Sequence, residues 1–241
     1  MPWNLEGRVG VVTGASSAIG RVVAARLLTQ HRMQLVCVSR RDLTGLVAPE
    51  CSCLKADLTV SSECDALMKS VRTSHGPVSL LVNCAGVTLS KMHVHCTDDD
   101  YDAVMNVNVR GALQITRSAL RHGGMLKTGD GCVIHIGSVV GSVGNEGQVV
   151  YAASKAALGG AVKSWAREYG SKGLRFNVIA PGLVDGPGMG AALTEAQREA
   201  WRKRSSMGRL ATAEDIADAV IGISGCCFIN GQTICVDGGL A

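Results

Sequence analysis

Residues 8–30, RVGVVTGASSAIGRVVAARLLTQ, contain the pattern that decides the fold. Arg8–Thr13 is rich in β-branched residues and predicts a buried parallel strand. A glycine-rich turn follows at Gly14–Gly20, and the apolar spacing from Ile19 to about Gln30 predicts a helix. Strand, glycine-rich turn and helix in this order are typical of a dinucleotide-binding fold, in which the helix N-terminus faces a pyrophosphate.

Alternating strand and helix patterns continue along the chain and predict an α/β fold. Further strands are predicted at Gln34–Ser39, Cys53–Ala56, Val78–Val82, Cys132–Ile136, Arg175–Ala180 and Gln232–Val236. Further helices are predicted at Val60–Ser74, from Tyr101 onwards, at Tyr151–Tyr169 and at Ala213–Ser224, the last with Thr212 as N-cap. No linker or repeat interrupts them. Residues 1–241 are therefore interpreted as a single-domain, Rossmann-type, doubly wound and mainly parallel seven-stranded sheet with helices on both faces.

Composition favours a globular protein and excludes several other classes. The 241 residues are 46% hydrophobic and 18% charged, which is typical of a folded domain. The net charge of +4 permits an acidic macromolecular partner without requiring one, and nothing indicates nucleic acid. No run of eighteen apolar residues predicts a membrane span, and the N-terminus lacks the apolar core of a signal peptide.

The ten cysteines include no C-x-x-C pair, and many lie in apolar strand-like runs. They are interpreted as reduced thiols in a reducing compartment, either the cytoplasm or an organellar matrix such as that of mitochondria. His93, His95 and Cys96 lack a partner cluster with zinc spacing, so we predict a solvated loop and no metal. Asp98–Asp100 is interpreted as a helix N-terminus, where carboxylates are favourable.

A second stretch, residues 138–155, carries the candidate chemistry. Ser138 follows the predicted strand Cys132–Ile136, and Tyr151 and Lys155 lie one helical turn apart. A phenol can give a proton to a carbonyl oxygen that gains negative charge, and a serine hydroxyl can donate a hydrogen bond to it. A nearby ammonium should lower the phenol pKa. The set suits carbonyl reduction, although Tyr-x-x-x-Lys alone also fits any exposed helical pair.

The end of the second predicted strand bears on cofactor preference. A fold of this kind that prefers NAD usually has an acid there for the ribose 2′-hydroxyl, but this chain has Ser39, Arg40 and Arg41. An arginine suits a 2′-phosphate, so we predict NADPH with Arg40 as the main phosphate contact. The alternative is that both arginines are merely solvated. Asp57 follows the third strand, at the edge that faces the cofactor crevice.

Two other features lead to structural predictions. Residues 183–204 combine glycine and proline with a short charged helical segment, and we predict a lid over the substrate. Gly159 and Gly160 lie inside the helix from Tyr151, where each glycine costs about 1 kcal/mol against alanine. Their presence suggests close approach of another helix, for example from a second subunit.

Asn108, among valines, needs hydrogen-bond partners if buried and could be purely structural.

Taken together, these residues resemble the short-chain dehydrogenase/reductase family over nearly the whole chain. The motifs stand in family order: Thr13-Gly14-x-x-x-Ala18-x-Gly20, Asp57, Asn83-x-Ala85-Gly86, Asn108, Ser138, Tyr151-x-x-x-Lys155 and Pro181-Gly182. Within the family, IGSVVGSVGNEGQVVYAASKAAL, NVIAPGLV, GRLATAEDIA and INGQTICVDGG look most like 3-oxoacyl-(acyl-carrier-protein) reductases. Such enzymes use NADPH and are usually tetramers.

The resemblance implies residue roles. Tyr151 would be the proton donor, Ser138 would polarise the carbonyl, and Lys155 would bind the nicotinamide ribose and lower the tyrosine pKa. Asn108 would hold a water in a proton relay. The implied NADPH contacts are Gly14, Ser16, Ser17, Ile19, Ser39, Arg40, Asp57, Leu58, Asn83, Ala85, Gly86, Tyr151, Lys155, Pro181, Gly182 and Val184.

Four positions depart from the family pattern and concern cofactor affinity more than reaction type. Ala18 replaces a usual glycine, and Ser17 replaces an arginine that often contacts the 2′-phosphate in this subgroup. Cys84 replaces a common second asparagine, and Gly186 replaces a threonine that often bonds the nicotinamide amide.

The resemblance also implies an acyl-carrier-protein partner, with Arg121, Lys127 and Lys172 as docking candidates near the site entrance, unless they are ordinary solvated charges. Two alternatives to the reductase function stay open. One is an enzyme of the same fold that acts on steroid alcohols, quinones or small ketones, because fold does not settle substrate. The other is a scaffold subunit that binds the cofactor without turnover.

Overall fold

The computed structural model describes residues 3–186 and 193–240. Its core is one seven-stranded sheet in the order β3-β2-β1-β4-β5-β6-β7, and every neighbouring pair is parallel. The strands are β1 (Val9–Thr13), β2 (Gln34–Ser39), β3 (Ser52–Lys55), β4 (Val78–Asn83), β5 (Gly131–Ile136), β6 (Leu174–Pro181) and β7 (Thr233–Val236). The predicted fold class is confirmed, with an all-parallel sheet where mainly parallel strands were expected.

Helices connect these strands, and the predicted helices are all present. They are α1 (Ala18–Thr29), α2 (Ser61–His75), α3 (Asp98–Met105), α4 (Ala112–Arg121), α5 (Met125–Thr128), α6 (Val140–Val143), α7 (Val149–Tyr169), α8 (Glu195–Arg204) and α9 (Ala213–Gly225). Short 3₁₀ turns occur at His93–His95 and Gly170–Lys172, and a π-helical turn, Asn106–Gly111, joins α3 to α4. The sequence pattern did not predict the π-helical turn.

Apolar side chains cover both faces of the sheet. One core cluster packs α2, α4 and α7 against the strands, with Leu67, Ile115 and Leu158 among its buried residues. The other packs α1 and α9 against the opposite face, with Leu27 and Val220 among its members. Short β-branched strands therefore lie buried between two helical layers, as parallel sheets require.

Threonine side chains cap the N-termini of α3 and α9. Thr97 accepts a hydrogen bond from the Asp100 N–H in a capping box, so Asp98–Asp100 form the first turn of α3 as predicted. Thr212 caps α9 in the same way, which confirms its predicted role. Both caps satisfy backbone N–H groups that have no partner inside the helix.

Within the described residues of one chain, no other helix comes within 4 Å of a Cβ built at Gly159 or Gly160. A Cβ at Gly159 would lie 3.2 Å from the Thr233 hydroxyl oxygen, so its close neighbour within the chain is a residue of strand β7. A Cβ at Gly160 would meet no described atom within 4 Å. Gly159 therefore makes room for β7 within the chain, and the approach of a helix from a second subunit stays a prediction.

Candidate active site

Two adjoining cavities open at the carboxyl end of the sheet, beside the place where the strand order reverses between β1 and β4. This is where doubly wound folds bind ligands. The larger cavity has a volume of about 330 Å³ and the smaller one about 240 Å³. Ser17, Cys84, Gly86 and Val87 line both, so the two cavities form one continuous crevice.

The predicted cofactor residues are distributed along this crevice. The larger cavity is lined by Ser17, Ile19, Gly86, Tyr151, Lys155, Pro181, Gly182 and Val184, and also by Ser138. The smaller cavity is lined by Gly14, Ser16, Ser17, Ser39, Arg40, Asp57, Leu58, Ala85 and Gly86. Only Asn83 and Asn108, among the predicted site residues, line neither cavity.

Glycines bring the turn after β1 close to the segment after β4. Gly14 has φ +61°, and a Cβ there would lie 2.5 Å from the Ala85 backbone nitrogen. A Cβ at Gly20 would lie 2.5 Å from the Gly14 carbonyl oxygen. Side chains are thus excluded at these two positions, and the backbone of the turn borders the crevice at the start of α1, as the approach of a pyrophosphate requires. The residues present fit a dinucleotide.

Three of the four departures from the family pattern have a clear local setting in the structure. The Ser17 hydroxyl accepts a hydrogen bond of 3.1 Å from the Gly20 N–H and caps α1, a role that an arginine at this position would not fill. Ala18, the first residue of α1, lines the larger cavity with its methyl group. Gly186 has φ +108°, a conformation that a threonine there would rarely adopt.

Ser138, Tyr151 and Lys155 converge on the larger cavity, as their spacing predicted. Ser138 follows β5, and Tyr151 and Lys155 lie one turn apart near the start of α7. The Ser138 hydroxyl lies close enough to the Tyr151 phenol to lower the phenol pKa. The Lys155 Nζ lies 5.7 Å from the centre of the Tyr151 ring and donates a 2.9 Å hydrogen bond to the Ile136 carbonyl. Two hydroxyl groups and one ammonium therefore meet in one small volume.

The pKa of the Tyr151 phenol does not shift in the direction that the sequence predicted. Burial raises the pKa of the Tyr151 phenol, and the hydrogen bond from Ser138 opposes that rise without cancelling it. The prediction that Lys155 lowers the phenol pKa is therefore wrong for this arrangement. Burial instead lowers the pKa of the Lys155 ammonium to about 8. Desolvation is the largest cause of both pKa shifts because both side chains are buried.

Asn108 holds the backbone that follows β4. Its side-chain oxygen accepts from the Val87 N–H, and its side-chain nitrogen donates to the Val87 carbonyl, each over 2.8 Å. The same nitrogen donates to the Ser154 hydroxyl over 3.0 Å. A Cβ at Gly86 would lie 3.2 Å from both the Asn108 side-chain oxygen and the Lys155 Nζ. Asn108 thus makes the structural hydrogen bonds that the sequence left open as an alternative, and its side-chain oxygen and the Lys155 Nζ both lie close to Gly86.

Asn83 is fully engaged inside the sheet. Its side chain contacts the Thr13 hydroxyl through a short hydrogen bond and lies 3.3 Å from the His135 Nδ1. It thereby links β1, β4 and β5 beneath the crevice, so its side chain is not placed to contact a cofactor. His135 was missed by the sequence reasoning, although a histidine in the apolar run GCVIHI could have drawn attention to it.

His135 is buried on the side of the sheet that carries α7. Its ring stacks on Trp165 with centroids 5.5 Å apart, and its Nε2 lies 3.3 Å from the Thr116 hydroxyl. Burial, with a smaller contribution from the Lys155 charge, lowers the pKa of His135 to about 3. A neutral imidazole therefore supports Asn83 at neutral pH.

The smaller cavity contains both arginines of the β2 end. Arg41 donates a 3.0 Å hydrogen bond to the Ser16 hydroxyl, which is also 3.1 Å from the Ser39 hydroxyl. Arg40 lies 3.9 Å from Asp57, and its side chain is 60% exposed. The prediction singled out Arg40, but Arg41 makes the closer contact with the turn residue Ser16. Both line the cavity.

The apolar wall of the larger cavity includes part of the predicted lid. Leu183, Val184, Leu193 and Trp201 line it, and Trp201 belongs to α8. Residues 187–192 of the predicted lid lie outside the described residues. Residues from both described parts of 183–204 thus line the cavity.

The three basic residues implied by the resemblance do not flank the cavities within one chain. Arg121 ends α4, Lys127 lies in α5, and Lys172 closes the turn before β6. All three precede strands β5 and β6, at the amino edge of the sheet. The cavities lie at the carboxyl edge. Within a single subunit, the prediction that these residues lie near the entrance is therefore wrong.

Within residues 3–186 and 193–240, no group of three or more histidine, cysteine or acidic side chains is arranged to hold a metal. His93 instead lies in a 3₁₀ turn with its Nε2 2.6 Å from the Tyr101 hydroxyl. Within the same ranges, no helix combines the length and apolar character needed to cross a bilayer.

The parallel sheet, the glycine-bounded crevice and the Ser138–Tyr151–Lys155 group define an oxidoreductase that uses a nicotinamide cofactor. A family model described as enoyl-(acyl carrier protein) reductase matches residues 14–241. The chain is similar to 3-oxoacyl-(acyl-carrier-protein) reductases of Vibrio harveyi (34% identity), Thermotoga maritima (34%) and Pseudomonas aeruginosa (36%). Each alignment covers 98% of this chain and 98–99% of the relative. The chain belongs to the short-chain dehydrogenase/reductase family.

Proposed function

We propose that this protein uses NADPH to reduce 3-oxoacyl thioesters on acyl-carrier protein to 3-hydroxyacyl thioesters in fatty acid synthesis. The observation that carries the proposal is the meeting of the Ser138 and Tyr151 hydroxyls in a cavity whose walls include Val139, Val140 and Trp201. Hydroxyl donors suit a carbonyl oxygen, and apolar walls suit an acyl chain. The printed names of the relatives support the same substrate.

The nicotinamide, when bound, supplies the hydride. Ser138 donates a hydrogen bond to the substrate oxygen as negative charge develops on it, and Tyr151 transfers its proton to that oxygen. Lys155 binds the nicotinamide ribose, and its ammonium lies beside both the phenol and Gly86. Asn108 positions this end of the crevice by holding the backbone at Val87. Asn108 would also hold a water in a proton relay, as the family resemblance implies.

The reaction can be tested by following NADPH consumption with two substrates. One is acetoacetyl-acyl-carrier protein, and the other is crotonyl-acyl-carrier protein, in which a carbon–carbon double bond is reducible. Turnover of the first and not the second supports the proposal. Turnover of only the second, or of neither, would refute it, and a panel of steroid alcohols, quinones and small ketones would then test the alternative enzymes. NADPH binding without turnover on any substrate would indicate the scaffold.

The preference for NADPH depends in this proposal on Arg40 and Arg41. Replacing both by alanine should raise the dissociation constant for NADPH about 10- to 100-fold, because hydrogen bonds to charged groups contribute about 1.5–3 kcal/mol. NADH affinity should stay nearly unchanged, because NADH lacks the 2′-phosphate. Fluorescence titration of both cofactors measures this, with Arg121→Ala, at the opposite edge of the sheet, as control. An equal loss of NADPH and NADH affinity would exclude a 2′-phosphate contact.

Cofactor binding should also depend on the charge of Lys155. Because burial places its pKa at about 8, the ammonium is present below that pH and is lost as pH rises through it. NADPH affinity should therefore fall between about pH 7 and pH 9. Lys155→Met should bind more weakly and show no such fall. A wild-type affinity that stays level across this range would contradict the assignment of Lys155 to the cofactor.

The proposed function also implies a domain organisation, a lid and an assembly. Residues 1–241 form one NADP-binding domain, and residues 183–204 act as a lid that closes over the substrate. The contacts of Leu193 and Trp201 with the larger cavity support the lid. The working form is a homotetramer that receives its substrate from acyl-carrier protein, in a reducing compartment that is cytoplasmic or organellar.

A further inference from the structure

Three cysteines lie together where strand β2 meets the edge strand β3. Cys37 of β2 and Cys53 of β3 are register partners in this parallel pair, and neighbouring strands lie about 4.8 Å apart. Cys51 comes just before β3, and its side chain belongs to the same apolar core cluster as Cys37. All three are free thiols. We call these three residues the β2–β3 thiol cluster.

Within the β2–β3 thiol cluster, Cys37 and Cys51 lie close enough for each to shift the pKa of the other. The interaction with Cys51, together with burial, raises the pKa of the Cys37 thiol, and the interaction with Cys37 lowers the pKa of Cys51. Cys37 is fully buried, whereas Cys51 keeps 7% of its surface exposed. The Cys53 thiol is directed at the Cys51 carbonyl oxygen, 3.7 Å away. Cys51 therefore has the features of an attacking thiol, with Cys37 beside it as the resolving thiol.

The segment between these two cysteines, residues 38–50, carries the arginine end of the crevice. Its residues Ser39, Arg40 and Arg41 line the smaller cavity. The Ser39 hydroxyl accepts a 3.0 Å hydrogen bond from the Arg41 backbone N–H, which holds the first turn of the segment. Because the two ends of the segment are neighbours in the folded chain, a bond between the two sulfur atoms would close it with little movement.

We propose that Cys37 and Cys51 form a reversible disulfide when the protein meets hydrogen peroxide, and that this bond fixes the segment that carries Arg40 and Arg41. The Cys51 sulfur attacks one peroxide oxygen, so that an S–O bond forms, the O–O bond breaks and one water leaves. The Cys37 sulfur then attacks the Cys51 sulfur, so that the S–S bond forms, the S–O bond breaks and a second water leaves with the Cys37 proton. The two thiols lose two electrons in total, and these reduce one peroxide to two waters. A dithiol reductant restores both thiols by exchange.

The expected effect of this bond is to stabilise the fold while the cofactor site is kept. Joining residues 37 and 51 closes the segment 38–50 in the unfolded chain and removes part of its conformational freedom. The disulfide also keeps Cys51 from further oxidation to a sulfinic acid, which is irreversible for most proteins. This inference goes beyond the proposed function, because it does not depend on which carbonyl compound the enzyme reduces.

Peptide mapping tests which sulfur atoms join. Trypsin cuts after Arg40 and Arg41, so Cys37 falls in one peptide and Cys51 with Cys53 in another. After treatment with hydrogen peroxide and blocking of the remaining free thiols, mass spectrometry should find these two peptides linked in the wild type. The same link should form in Cys53→Ser, because Cys53 is not part of the proposed bond. A wild type without the link, or a link that is lost in Cys53→Ser, would overturn the proposal.

Thermal unfolding measures what the bond does to the protein. The oxidised wild type should melt about 6–12 °C above the reduced protein, and a dithiol should reverse the shift. Cys51→Ala should lose this redox-dependent shift. The matched control is Cys64→Ala, which should keep it, because Cys64 is also buried but directs its thiol at the Leu58 carbonyl oxygen. Comparing the oxidised and reduced forms of each variant removes the cost of the substitution itself.

Cofactor binding supplies the remaining readout. The dissociation constant for NADPH should stay within about twofold on oxidation, because the closed segment keeps Arg40 and Arg41 in place. A lower melting temperature after oxidation, or a loss of NADPH affinity that a dithiol restores, would overturn the stabilising role. If the disulfide forms as described but no 3-oxoacyl thioester is reduced, the proposed function fails and the disulfide stands.

Discussion

Replacing Tyr151 by phenylalanine should lower kcat by about three orders of magnitude while NADPH still binds. Positioned general acids contribute about 10²–10⁴-fold, and the substitution removes the proton donor while it keeps the ring. Tyr151 is 6% exposed, and the phenylalanine ring fills the same space in α7. The loss should therefore appear in the chemical step. Single-turnover measurement of NADPH oxidation with acetoacetyl-acyl-carrier protein separates this step from binding.

The same helix offers a matched control. Tyr169 is the last residue of α7 and packs its ring 6.0 Å from that of Phe176, away from both cavities. Tyr169→Phe makes the same chemical change and should leave kcat within about twofold of the wild type, because surface and core hydroxyls remote from the site do not transfer the proton. A Tyr151→Phe enzyme with near-normal kcat would mean that the proton comes from another group.

The raised phenol pKa bears on how this proton donor works. Because burial favours the neutral phenol, Tyr151 is protonated at neutral pH and ready to donate. Burial also makes the Tyr151 phenol a weaker acid, and the interaction with Ser138 partly offsets this rise in its pKa. Ser138→Ala should therefore affect both the polarisation of the substrate and the acidity of Tyr151. The sequence showed that these side chains meet, but it could not show whether burial or the neighbouring charge decides the pKa.

The outline of the fold could be predicted because strand and helix periods are local properties. β2, Gln34–Ser39, agrees with its prediction at both ends, and α9 differs by one residue at its C-terminus. The meeting of Ser138 and Tyr151 could also be predicted, since a strand end and a helix start at the same edge of a parallel sheet are neighbours. Each of these inferences needed only sequence spacing and the direction of the strands.

Other features depend on side-chain direction and packing, which spacing does not contain. Nothing in Arg40-Arg41 indicates which guanidinium turns towards Ser16 once the strand ends, and the structure places Arg41 there. The burial of Asn83 and its contact with His135 depend on strand register. The position of Lys172 could have been predicted from topology alone, because loops that precede parallel strands lie at the edge opposite the ligand.

Gly14→Ala should both destabilise the protein and abolish NADPH binding. An alanine at φ +61° costs about 1–2 kcal/mol, and the new Cβ would lie 2.5 Å from the Ala85 nitrogen and 2.7 Å from the Cys84 carbonyl carbon. These are backbone atoms, so the segment after β4 must move, at a further cost of about 1–3 kcal/mol. The displaced segment includes Gly86, which lines both cavities and lies against Lys155.

Gly45→Ala separates the cost of a positive φ from the cost of the backbone contact that Gly14→Ala also makes. Gly45 has φ +71°, and a Cβ there would meet no described atom within 4 Å, so this variant carries the backbone strain without the contact. Urea unfolding should give a loss of about 1–2 kcal/mol for Gly45→Ala and a clearly larger loss for Gly14→Ala, with NADPH affinity kept only in the former. Equal losses of unfolding free energy with cofactor binding intact in both would contradict this. The approach of β1 to β4 at Gly14 would then not be what shapes the crevice.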